Sequence, residues 1–162
     1  MSVRPHASMK LNHLAIPYLA IFVFIFGGMI TNDGVGWYYT LLLPAWNPPT
    51  ALVAVIWAVI YACAAVSLLL IWNSAPRNAR FNWIIGGFVG STLLNALWSI
   101  LFFHFHLFPA AIWCAAVLGL SVLILAIVAY PVSRRAALLL VPYTLWVFFA
   151  AYLNYAVMLL NS

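Results

Sequence analysis

Acidic side chains are almost missing from this sequence. Asp33 is the only one in 162 residues, and six Lys or Arg complete the formal charge. Charged residues make up 4% of a chain that is 69% hydrophobic, whereas soluble domains carry roughly a quarter. That shortfall excludes an ordinary soluble fold and points to an integral membrane protein. No charge falls between Arg80 and Arg134 or after Arg135. Ion-coupled transporters and proton pumps rely on ionisable groups inside their helices, so a gradient-driven pump is not expected. Six basic residues in five places make no phosphate-tracking patch, which argues against nucleic acid as a partner. Cysteine is scarce as well. Cys63 and Cys114 lie far apart in apolar runs, without a CxxC, and read as small buried hydrophobes. His104 and His106 diverge on a helix and have no Cys or carboxylate nearby, so no metal site is expected.

What is present is a set of long apolar runs. A spanning helix needs about 20 such residues, and prolines and charges divide the chain into five runs, roughly 11–31, 49–73, 81–103, 109–130 and 136–160. The expected fold class is an all-α membrane protein, a single-domain bundle of five transmembrane helices. Pro48, Pro49 and Pro109 fall at helix starts, where a missing N–H costs nothing, and Pro142 should kink the fifth helix. The first run is too long for a signal-peptide core and no A-x-A site follows it, so it reads as a retained helix. Arg4, Lys10, Arg77, Arg80, Arg134 and Arg135 all fall on one side of a five-span chain, and Asp33 on the other. The positive-inside rule then makes the N-terminus cytoplasmic, with the first loop and the C-terminus outside. Trp72 and Trp83 flank the basic loop as interfacial anchors.

Helical spacing gathers the polar and aromatic residues onto three faces. Trp57 and Tyr61 share a face of the second helix. Ser91, Asn95, Trp98 and Phe102 share one on the third. Tyr143, Trp146, Ala150, Asn154 and Val157 form a stripe on the fifth. An amide in hydrocarbon is costly without a partner, so Asn95 and Asn154 should face protein or a cavity. Each amide taken alone could simply join helices. Together with deep Trp and Tyr, they suggest a pocket of π-faces and a few hydrogen-bonding groups, fit for a flat, apolar, aromatic-sized ligand. No His stands there to ligate haem iron. Gly86 and Gly90 in "GGFVG" have the small-xxx-small spacing of close helix packing. Packing within the chain is the first reading, and a homodimer seam on the third helix the alternative.

The segments "WYYTLLLPAWNPP", "WAVIY", "LNALWSILFF" and "VPYTLWVFFAAYLNY" together resemble the translocator protein family, also called tryptophan-rich sensory proteins or peripheral-type benzodiazepine receptors. Order and spacing agree from about residue 13 to 160. The resemblance implies a usually dimeric five-helix bundle whose pocket opens toward the first loop, with "WYYTLLLPAWNPP" as its lid. It implies tetrapyrroles such as protoporphyrin, sterols and synthetic aromatic drugs as ligands, and a link to stress responses in bacterial members. No tightly held cofactor is implied. The family's binding positions carry over onto Trp37, Trp46, Trp57, Tyr61, Asn95, Trp98, Trp146, Ala150 and Asn154. All of these except Trp37 and Trp46 already lie on the three helical stripes. Two departures stand out. Leu153 and Tyr155 begin the family's sterol pattern, yet no Lys or Arg follows them, and Leu43 precedes Pro44 where the family often has a Lys.

The leading expectation is a membrane binding protein or sensor for porphyrin-like ligands, with membrane lipid around it. One alternative is light-dependent breakdown of bound porphyrin, an activity attributed to bacterial relatives. No general base, nucleophile or metal is expected to serve it, so any turnover would be photochemistry beside oxidisable Trp, with Trp46 and Trp146 as first suspects and no catalytic residue assigned. The other is passive translocation of a tetrapyrrole or lipid.

Overall fold

The computed structural model describes residues 11–162. Arg4 and Lys10, which enter the expected charge asymmetry, lie outside the described residues. The first span is α1 (Asn12–Tyr38), the second α2 (Thr50–Ser74) and the third α3 (Ala79–Ser99), which runs into a π-helical turn at Ile100–His104. The fourth is α4 (Phe108–Ala129), and the fifth is divided into α5 (Arg134–Leu139) and α6 (Val141–Leu160). All five spans are long and apolar enough to cross a membrane, as composition requires. Packing neighbours run in the order α1, α2, fifth span, α4, α3 and back to α1, which closes a ring.

Short polar side chains and prolines set the helix ends. Asn78 accepts the Phe81 N–H at 3.1 Å, and Ser133 accepts that of Ala136 at 3.2 Å. Pro109 and Pro142 each stand in a first helical turn. The expected kink at Pro142 is a break at Leu140 that separates α5 from α6.

Small residues govern the packing, because lipid tails give apolar helices no hydrophobic reason to associate. α4 buries a face that includes Ala111, Ala115, Gly119, Val122 and Ala126, so both α3 and α6 approach it closely. A Cβ on Gly119 would stand 3.0 Å from the Phe148 ring, and one on Gly87 only 2.8 Å from Leu125. Gly86 and Gly90 do not share that task. A Cβ on either would meet nothing within 4 Å, which corrects the reading of this pair as packing within the chain. Gly87 does that work instead.

Two boundaries differ from expectation. The first helix, expected to end near residue 31, continues to Tyr38. Nothing in the polar stretch Thr31–Asp33 breaks a helix, and Gly34 lets α1 cross the π-helical turn; a Cβ there would lie 2.5 Å from the Phe103 carbonyl oxygen. Trp37 and Tyr38 are therefore helical, and the loop begins at Tyr39. The third helix, expected at 81–103, is regular only to Ser99. The Phe105 N–H reaches the Ile100 carbonyl and the Leu107 N–H the Leu101 carbonyl, with His106 at φ 56° between them.

Candidate functional site

The stripes on α2, α3 and α6 meet. Trp57 and Tyr61, one turn apart on α2, have ring centroids 5.8 Å apart. Trp57 approaches Trp98 of α3 at 6.4 Å and stands edge-on to the buried Tyr143 of α6 at 6.0 Å. Asn95 donates through Nδ2 to the Tyr61 hydroxyl at 2.6 Å. The Trp98 indole lies against Asn154. In the amide orientation that satisfies both groups, Asn154 accepts from Nε1 at 2.8 Å and donates to the Ala150 carbonyl at 3.3 Å. Trp57, Tyr61, Asn95, Trp98, Ala150 and Asn154 thus form one connected wall contributed by three helices.

Of the other expected positions, Trp37 joins this wall through an intermediate, and Trp46 and Trp146 belong to a second aromatic series. Trp37 stands in the last turn of α1, stacked on His106 with centroids 3.7 Å apart and edge-on to Phe102 at 5.7 Å. Phe102 in turn stacks on Trp98 at 6.0 Å. Trp37 therefore reaches Trp98 only by way of Phe102. Trp46, in the loop, stacks on Tyr152 at 5.4 Å and meets Phe149 edge-on at 5.8 Å. Phe149 contacts Trp146 at 5.2 Å. This second aromatic series runs from the loop down the face of α6.

Polar contacts hold the α1–α2 loop over one end of the bundle. The Tyr38 hydroxyl donates to Asn47 at 2.7 Å, and the Tyr39 and Thr50 hydroxyls lie 2.6 Å apart. Asn161 is bidentate to the backbone of Leu42: its amide nitrogen donates to the carbonyl and its oxygen accepts the N–H, both at 3.0 Å. Sequence reasoning missed Asn161, Tyr152, Phe149 and the His106 stack. No periodicity signals contacts made across 119 positions or by an irregular turn.

Two buried polar atoms in this region, Oδ1 of Asn95 and Nε1 of Trp146, have no hydrogen-bond partner among the described residues. Such atoms are costly in a low-dielectric interior unless something else satisfies them. No Asp, Glu, Lys or Arg contributes to the wall. The wall's chemistry is that of π-faces with one unmatched acceptor on Asn95, while the unmatched donor is on Trp146 of the second aromatic series.

Residues 14–160 match the TspO/MBR family. The chain is 32% identical to the tryptophan-rich protein TspO of Chlorobaculum tepidum over 83% of its own length and 86% of that protein's. It is likewise 32% identical to the protein of the same name from Archaeoglobus fulgidus, over 95% of this chain and 100% of that one. It is 33% identical to the translocator protein of Sus scrofa, over 79% and 76% of the two chains.

Proposed function

The chain belongs to the TspO/MBR family and is a multi-pass integral membrane protein, and on that basis we propose that it binds or senses porphyrin-like ligands. The observation that carries this reading is the charge-free wall of Trp57, Tyr61 and Trp98, with unmatched buried polar atoms on Asn95 and Trp146. A flat macrocycle offers π-faces to the indoles. The test is protoporphyrin binding in the dark, read by Trp-fluorescence quenching. Binding weakens when Trp57, Trp98 or Trp146 becomes Phe, and identical affinity in all three variants rejects the reading. A sterol ranks second, since the basic residue of the family's pattern is missing after Tyr155.

Orientation and assembly belong to the same reading. The second-to-third and fourth-to-fifth connections carry Arg77, Arg80, Arg134 and Arg135, while Asp33 lies toward the other end of the bundle. This supports a cytoplasmic N-terminus under the positive-inside rule. The open glycine face at Gly86 and Gly90 supports a homodimer through α3. Loss of the dimer in Gly86→Leu and Gly90→Leu, measured by mass in nanodiscs, is the outcome that reading requires.

A further inference from the structure

The two halves of the fifth span follow different neighbours. α5 packs on α2, and the buried Ser67 hydroxyl donates to the Ala136 carbonyl at 2.8 Å. Beyond the break at Leu140, α6 packs along α4 and barely touches α2. Pro142 is the physical cause, because it lacks the N–H for the preceding turn and its ring crowds the carbonyl there. The result is a wedge between α2 and α6, narrowed toward α5, whose lining residue Ile56 precedes Trp57 of the aromatic wall. Its volume is about 470 Å³, and Val55, Ile56, Val59, Pro142, Leu145 and Trp146 line it. Val55 and Val59 are exposed on the apolar, lipid-facing surface, whereas Ile60 at the wedge's floor is fully buried.

Trp146 belongs to the wedge and to the second aromatic series. Its ring lines the wedge and contacts Phe149, and its N–H is one of the two unmatched buried groups. Trp57, the neighbour of Ile56 on α2, sits in the wall itself. Approach from solvent is obstructed by contrast. The loop is fastened by Asn161 to Leu42 and by Tyr38 to Asn47, and Trp46 is seated on Tyr152.

We propose that the α2/α6 wedge is a lipid-side groove through which a flat, apolar, membrane-dissolved ligand reaches the aromatic wall. The inference rests on the binding function proposed above. The lining side chains are apolar and the Trp146 N–H is buried, so a macrocycle can enter edge-on from hydrocarbon without losing hydration. Carboxylates on the ligand stay toward the outer, watery end. The loop then retains the ligand and does not admit it.

The test uses the full chain in lipid vesicles preloaded with protoporphyrin, in the dark, with association and dissociation followed by Trp quenching. Val55→Trp and Val59→Trp add bulk at lipid-facing positions and leave the core intact. Each is expected to slow both rates about tenfold at unchanged affinity, as a narrowed passage must. Pro142→Ala, which lets the fifth span straighten, should slow both rates in the same way. Asn161→Ala, which releases the loop that retains the ligand, should leave association unaltered and affect only dissociation. Unaltered rates in all three wedge variants overturn the proposal, as does faster association on releasing the loop with Asn161→Ala. Absence of saturable binding by the wild type overturns the binding function itself, a distinguishable failure.

Discussion

Trp98 and Asn154 show what a single polar group demands in a bilayer. The indole N–H has no water to turn to, and the Asn154 amide both satisfies it and ties α3 to α6. Asn154→Leu should strand the N–H and cost about 1–3 kcal/mol, seen as a lower thermal midpoint in micelles. A midpoint within error of wild type would mean that the indole finds another partner. His106 poses a different problem. It holds a left-handed backbone position that usually favours glycine, and its stack on Trp37 offsets the strain. Both His106→Gly and His106→Ala lose the stack, but only Ala retains the backbone strain. The Ala variant should therefore be less stable than the Gly variant by about 1 kcal/mol in the same thermal assay. The stripes that carry Trp57, Tyr61, Asn95, Trp98 and Asn154 were legible because helical spacing fixes which residues share a face. The His106 stack was not, since it depends on a turn that is neither helix nor strand.

At the scale of elements, the five spans follow from hydropathy and the break at Leu140 from Pro142. What the sequence conceals is how far a helix continues once it leaves the hydrocarbon. Thr31, Asn32 and Asp33 read as the start of a loop, yet α1 carries Trp37 onward because Gly34 allows contact with the π-helical turn. Gly34→Ala should push these elements apart, at a cost of about 1–3 kcal/mol. It should also displace Trp37 and make the segment that follows Tyr38 more susceptible to protease. Unchanged cleavage in that variant would separate the α1 crossing from the seating of the loop. The wedge is concealed for a related reason: Pro142 announces a kink but not which neighbour the helix leaves.

Across the whole molecule, the ring of spans brings Asn161, next to the end of the chain, onto the first loop. Asn161→Ala removes two hydrogen bonds to Leu42, each worth about 0.5–1.5 kcal/mol net. Hydrogen exchange at the Leu42 amide should accelerate about tenfold or more, while amides in α4 remain as they were. Long-range closures of this kind leave no trace in local pattern, whereas charge asymmetry and family resemblance are spread along the sequence and can be read from it. The aromatic wall, the fastened loop and the unmatched polar atoms together support the central proposal, that this bundle holds a flat hydrophobic ligand between α2, α3 and α6. The most direct measurement is a dark protoporphyrin titration, by Trp quenching, of the wild type beside Trp57→Phe, Trp98→Phe and Trp146→Phe. Saturable binding that weakens between about twofold and tenfold in each variant is the predicted result, in line with the loss of one stacking contact. Binding that does not saturate, or that is indifferent to all three substitutions, would contradict it.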